Sequence, residues 1–144
     1  MVSFGVQVNI IPYIALIIPV FSAYRLAKFN IDTRQTDSFI GLPTPANALF
    51  IGSLPFIING QWSFAFPQLH EFYILLALTI LLSLLLVAEL PLFALKFKHL
   101  KWKDNEIRFV FILSSIILLI LLQVAAFPAI ILLYVALSVF NKNT

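Results

Sequence analysis

RLAKFNIDTRQTDSFIGLPTPANA, residues 25–48, is the longest polar interruption in a chain that is otherwise mostly apolar. It holds three of the nine basic residues and two of the six acidic ones, and it closes on a Gly-Leu-Pro-Thr-Pro turn. Apolar segments flank it on both sides, so any chemistry is expected at this water-facing seam. The rest of the composition sets the class. The 144 residues are 62% hydrophobic and 10% charged, with a mean hydropathy of +1.05. A soluble domain carries about 25% charged residues, so this chain cannot cover a soluble surface and reads as a polytopic membrane protein. With no cysteine, disulfides, thiolate metal sites and a cysteine nucleophile are excluded. No basic stripe interleaved with aromatics points to nucleic acid, and the start MVSFGVQVN has no signal-peptide pattern.

Outward from the seam, the pattern predicts an all-α bundle of about five membrane helices in a single membrane domain over 1–144. Segment one covers about residues 3–28. Its apolar heart, 10–26, is about seventeen residues, the lower limit for a bilayer core of about 30 Å. Pro12 and Pro19 predict kinks, and Arg25 and Lys28 close the helix as interfacial cations. Asp32, Thr33, Asp37 and Ser38 are turn and cap formers. Thr44 followed by Pro45 reads as an N-cap with proline at the first helical position. Segment two, about 45–59, is interrupted by Pro55 and stops at Asn59-Gly60. The aromatic loop 60–68 suits a membrane interface. Segment three, 69–90, is the cleanest crossing. Segments four (about 105–127) and five (128–140) form a hairpin that turns at Phe127-Pro128.

Five crossings put all nine basic residues on one side: Arg25, Lys28 and Arg34; Lys96, Lys98, Lys101, Lys103 and Arg108; and Lys142. The positive-inside rule makes that side cytoplasmic. The seam and the loop 91–104 then face the cytoplasm.

Each candidate has a plain alternative. Arg25, Lys28 and Arg34 suit a phosphate or carboxylate, but charge alone favours topogenic anchoring. The lysines of 96–103 read as an anchor touching anionic head groups. Glu89 reads as an interfacial carboxylate paired with the basic loops. His70 and His99 are isolated from any second ligand at metal spacing. Asn9 and Gln123 read as interhelical hydrogen-bonding amides. No P-loop, GxSxG or HExxH motif is present.

The seam resembles a block of the bacterial CDP-diacylglycerol–serine O-phosphatidyltransferases, within the CDP-alcohol phosphatidyltransferase family. The typical form is R-L-A-R-F-N, a short polar loop, then F-x-G-L-P-x-P-A-A-A, matched here by residues 25–30 and 39–48. ELPLFALKFK, residues 89–98, resembles the same group, and MVSFGV, residues 1–6, is similar to the residues that follow the family's metal motif. The resemblance implies transfer of a phosphatidyl group from CDP-diacylglycerol to L-serine, giving phosphatidylserine and CMP. It implies a membrane-lipid setting and Mg or Mn as cofactor, and it allows a homodimer. It makes Arg25, Lys28 and Asn30 substrate-binding residues, with Gly41, Pro43 and Pro45 shaping the turn. Two alternatives stay open: a sister enzyme with a glycerol phosphate or inositol phosphate acceptor, and a non-enzymatic polytopic protein.

The family's aspartate signature, D-x-x-D-G-x-x-A-R then G-x-x-x-D-x-x-x-D, supplies the metal ligands and the base. It does not occur in this sequence, so no catalytic residue and no metal ligand is expected here. The chain reads as the C-terminal part of such an enzyme and is expected to be inactive alone. Two crossings should join that signature to the R-L-A-R-F-N block, yet Val6 to Arg25 leaves room for one. About twenty residues, one crossing, are therefore expected to be missing around residues 7–10.

Overall fold

The computed structural model describes residues 11–31, 38–95, 102 and 105–140. Expectations on residues 1–10, on Asp32, Thr33, Arg34 and Asp37, on Lys96, Lys98, His99, Lys101, Lys103 and Asp104, and on Lys142 lie outside them.

The apolar runs form five helices. A 3-10 turn, Ile11–Leu16, leads into α1, Ile17–Ile31. Pro19 sits in the first turn of α1, where its fixed φ suits the helix. Helix α1 runs to Ile31, so Lys28 lies in its last turn, as expected of a cation at the C-terminal end, while Arg25 sits further inside the helix. Helix α2 is Thr44–Asn59. It passes through Pro55 instead of breaking there, as membrane helices do when neighbouring groups re-satisfy the freed carbonyl. Its cap also differs from expectation. The Pro43 carbonyl accepts the first helical bond, from Asn47 N at 3.0 Å. Pro43 is therefore the N-cap, and Thr44, whose hydroxyl makes no cap bond, is the first helical residue.

Helix α3, Phe72–Val87, is 16 residues long, about 24 Å at the usual rise. It is shorter than the expected 69–90 because residues Pro67–His70 form a separate 3-10 turn and Pro91–Phe93 leave the helix as a strand. Helices α4, Glu106–Leu122, and α5, Ala126–Phe140, form the expected hairpin. The reversal lies at Gln123–Ala125 rather than at Phe127-Pro128. Gln123 takes φ 50° and ψ −120° and turns the chain, while Pro128 falls harmlessly in the first turn of α5.

Side-chain hydroxyls in these helices bond their own turns. Thr79 and Ser83 donate to the carbonyls of Leu75 and Thr79, Ser114 and Ser115 to Val110 and Phe111, and Ser138 to Tyr134. Such back-bonding satisfies hydroxyls without a neighbour, which an apolar surrounding requires.

One unexpected element is a two-stranded antiparallel ribbon. Strand β1, Ser38–Ile40, pairs with β2, Pro91–Phe93, in the register Ser38 to Phe93, Phe39 to Leu92 and Ile40 to Pro91. The seam is thus partly strand, and its partner is the ELPLFALKFK segment.

The helix ends sort into two sets. At one end lie the C-termini of α1, α3 and α5 and the N-termini of α2 and α4. There Lys28 pairs with Glu89, Arg108 donates to the Ala94 carbonyl, and Ser138 Oγ accepts from Phe93 N. At the other end Gln61 Nε2 donates to Gln123 Oε1 at 3.0 Å, tying the α2–α3 loop to the α4–α5 turn. Gln123 does make a bond between elements, but at a turn rather than in mid-crossing.

Two small cores hold the ends together. Leu42, Phe50, Leu82 and Ile131 join α2, α3 and α5. Leu92, Phe93, Phe111 and Tyr134 join β2, α4 and α5, with the three rings at centroid separations of 5.0–5.8 Å, the range of favourable edge-on pairs. Outside these cores most apolar side chains are exposed, including Leu16, Val20, Tyr24, Ile116, Ile120 and Leu121. By length and composition two helical stretches could cross a membrane, Pro12–Ile31 and Glu106–Phe140, the second of which reverses at Gln123, and Phe72–Val87 is apolar but shorter.

Candidate functional site

The seam end of the bundle is built around Gly41. Its φ is +75°, a conformation natural only to glycine. A Cβ there would lie 2.7 Å from the Leu86 carbonyl oxygen and 2.9 Å from that of Ala88. Gly41 N donates to Leu90 O at 2.9 Å, and Leu42 N to Leu85 O at 2.8 Å. The turn therefore seats the seam directly on the backbone at the end of α3. Leu42, 1% exposed, then drops into the core, and Pro43 starts α2.

Arg25 is the departure from the expected interfacial cation. It is buried, 8% exposed, on α1. The guanidinium carbon lies 5.9 Å from the Phe29 ring centroid, within cation–π range. Its Nε has no hydrogen-bond partner. A buried cation needs an answering charge or a full set of bonds, and the protein leaves part of that need open.

Lys28, one turn on, is half-buried and bonds Glu89 at 2.9 Å. This is the paired-carboxylate reading of Glu89, and it fastens α1 to the segment leading into β2. Asn30 lies on the exposed last turn of α1, and Pro45 is exposed at the start of α2. Of the six expected site residues, Arg25 and Gly41 are buried, Lys28 and Pro43 are half-buried, and Asn30 and Pro45 face outward.

Two residues missed by the sequence reading belong to this end. Tyr134 of α5 is 8% exposed and donates its hydroxyl to the Phe93 carbonyl at 2.8 Å. It packs on the ribbon through Phe93, and nothing in its apolar sequence context sets it apart. Asn47 is 1% exposed, with Oδ1 unpartnered, and so is the hydroxyl of Thr44 one turn before it. Asn47 could have been noticed as the one amide in a block whose typical form has alanine there.

Beside them opens an apolar cleft of about 390 Å³ between α2, α4 and α5. Pro43, Ala46, Leu95 and Tyr134 line it at the seam end, and Leu119 and Phe127 lie further along. From Phe111 to Leu119 on α4 the cleft extends eight residues, about 12 Å along the helix. The seam end thus holds a buried cation and unpartnered polar atoms, with an apolar slot opening at the start of α2 beside Tyr134. It has the parts to grip a molecule with an anionic head and a hydrocarbon tail.

Among the described residues no three His, Cys, Asp or Glu side chains come together as metal ligands. His70 is exposed and Glu89 is engaged with Lys28. The described residues do not fit the divalent cation that the resemblance implies.

No protein-family model matches the chain. Two curated relatives do. The chain is 27% identical to the CDP-diacylglycerol–serine O-phosphatidyltransferase of Helicobacter pylori strain 26695 and 28% identical to that of strain J99. Each alignment takes in 99% of this chain and 68% of the relative. The resemblance carried by the seam therefore extends along nearly the whole sequence. Each alignment runs over 168 positions against 144 residues here, so at least 24 aligned positions have no counterpart in this chain. That is about the length of one membrane crossing.

Proposed function

We propose that this chain is the substrate-gripping part of a CDP-diacylglycerol–serine O-phosphatidyltransferase. In the complete enzyme the serine hydroxyl oxygen forms a bond to the phosphatidyl phosphorus. The bond from that phosphorus to the pyrophosphate bridge breaks, and CMP leaves. The observation that carries the reading is Arg25. It is a buried guanidinium with an unanswered N–H, in a seam resembling the serine enzymes and in a chain that aligns with two of them over 99% of its length.

In this reading Arg25 holds a phosphate oxygen or the serine carboxylate as a fixed donor. Lys28 adds positive potential at the mouth while Glu89 fixes its position. Gly41 and Pro43 aim the start of α2 at the same mouth. The apolar cleft takes an acyl chain of the lipid donor. The metals and the base come from the aspartate signature, which this sequence lacks, so the chain alone does not turn over.

The same reading takes all five helices as crossings of a bacterial inner membrane, with the seam on the cytoplasmic side. Support comes from the sorted helix ends, the unequal basic charge, and Trp62 and Trp102 at opposite ends, where aromatic belts sit. A homodimer fits a chain whose α1 packs chiefly on α3 and leaves an apolar outer face.

The test is lipid product identification. Membranes carrying an enzyme in which the aspartate signature precedes this chain are given CDP-diacylglycerol with L-serine, glycerol 3-phosphate or inositol phosphate. Phosphatidylserine is the expected product. Product from either phosphate acceptor alone would assign the chain to a sister enzyme.

A further inference from the structure

Helices α2 and α3 have 16 residues each and α5 has 15, lengths of about 22–24 Å at the usual rise. A bilayer core is about 30 Å thick, so even upright these helices fall about 6 Å short of it, and tilt widens the gap. A crossing that is too short is accommodated by thinning of the bilayer or by flanking residues that reach across the difference. The two ends of the bundle differ here. The seam end carries Lys28 and Arg108, whose long stems keep a charge in water and hold that end at the boundary. The opposite end, the loop 60–71 and the turn 123–125, carries no Lys or Arg. The shortfall therefore falls at the opposite end.

The loop found there is ordered and aromatic. Residues 60–71, twelve between the end of α2 at Asn59 and the start of α3 at Phe72, exceed the about 2–8 usual between bundle helices. Their backbone is tied within itself: Ser63 N donates to Gly60 O, Ala65 N to Trp62 O, Leu69 N to Phe66 O and Glu71 N to Gln68 O. Gln61 fastens the loop to the turn at Gln123. These turns hold a row of rings outward. Phe64 is 79% exposed and Tyr73, in the first turn of α3, 77%, with Phe66 and Phe72 exposed between them. Trp62 stacks on Phe64 at 6.5 Å, and Phe72 meets Tyr73 edge-on at 5.6 Å. On either side the row runs into exposed Phe56 of α2 and Ile74 of α3, part of the apolar outer surface of the bundle. His70 and Glu71, the only ionisable side chains of the loop, are exposed and adjacent. A lone carboxylate does not enter hydrocarbon, so this pair limits the depth of the loop to the head-group boundary.

We propose that the loop 60–71, with the first turn of α3, is inserted in the head-group boundary of the leaflet opposite the seam, where its rings span the length that α2 and α3 lack. The partner is the lipid itself. The proposal rests on the reading of α2 and α3 as membrane crossings and adds where their connection lies.

The test is fluorescence of the full chain in phosphatidylcholine nanodiscs. Trp62→Phe with Trp102→Phe removes the two native indoles, and Phe64→Trp supplies one at the most exposed ring of the loop. Circular dichroism checks the fold, with Tyr73→Trp in the same background as the reporter should the first variant fail. The quenchers are phosphatidylcholine brominated near the head group, phosphatidylcholine brominated near the chain ends, and iodide in the water. Interfacial segments lie about 5–10 Å into the head-group boundary, so bromines near the head group are expected to quench about twofold more than those near the chain ends, and iodide to quench little. Strong quenching by iodide with none from either lipid puts the loop in water and overturns the proposal, leaving the crossings intact. Strongest quenching from the chain-end bromines puts the loop at mid-bilayer, so that α2 and α3 do not each cross, and overturns both. Quenching by none of the three means that another protein surface covers the loop, and overturns lipid as its partner.

Discussion

Gly41→Ala probes the joint on which the seam depends. An L-residue held at φ +75° costs about 1–2 kcal/mol. The new Cβ would also meet two backbone oxygens, Leu86 O at 2.7 Å and Ala88 O at 2.9 Å. Neither is the end of a flexible side chain, so the strand or the end of α3 must move. That movement strains the bonds from Gly41 N to Leu90 O and from Leu42 N to Leu85 O, each worth about 0.5–1.5 kcal/mol net. The sum is about 2–5 kcal/mol, a large share of the 5–15 kcal/mol that holds a typical domain together. Gly52→Ala is the matched control. Gly52 lies within α2 with nothing within 4 Å of its would-be Cβ, so alanine should be neutral or stabilise by about 0.5–1 kcal/mol. Thermal unfolding in detergent micelles, followed by far-ultraviolet circular dichroism, reads both. If Gly41→Ala melts with the unaltered chain or above it, the seating of the seam on α3 is wrong.

Tyr134→Phe keeps the ring packing but deprives the Phe93 carbonyl of its donor, and should cost about 1 kcal/mol in the same assay. Lys28→Ala should cost less than about 1 kcal/mol, shrinking in high salt, because the partner Glu89 is largely exposed. Arg25→Met should leave the melting temperature equal or higher, since a buried charge does little for stability; a large drop would mark Arg25 as scaffold instead. With no native cysteine to interfere, cysteines at Gln61 and Gln123 should cross-link through a short bifunctional reagent. Cysteines at Gln61 and Lys28, on opposite ends, should not.

Much of the helical body was legible because apolar runs, prolines and Asn59-Gly60 mark segment limits directly. α2 and the α4–α5 hairpin came out near their expected bounds. The turn at Gln123 did not, because a positive φ at a glutamine leaves no mark in composition, whereas Phe127-Pro128 looks like a break. The ribbon was missed because three-residue strands are too short to carry a period, and Pro91 argues against a strand unless it sits at an edge.

At the site, Gly41 was legible as a turn former, but its reason, the backbone of α3, lies forty-five residues away. Arg25 was read as an anchor because a cation near the end of an apolar segment usually reaches for water. Its burial at 8% exposure comes from the packing of α1 against the bundle, chiefly on α3, which only the tertiary structure supplies. Asn30 sits in the recognised block yet faces outward, so membership of a block did not determine placement.

Serine-dependent CMP release tests the central claim most directly, measured on an enzyme in which the aspartate signature precedes this chain. CDP-diacylglycerol with L-serine should release CMP, and Arg25→Ala should lower that release about a hundredfold, as the loss of a charge-assisted contact to the reacting molecule implies. CMP release with unchanged kinetics for both substrates in Arg25→Ala would contradict the account.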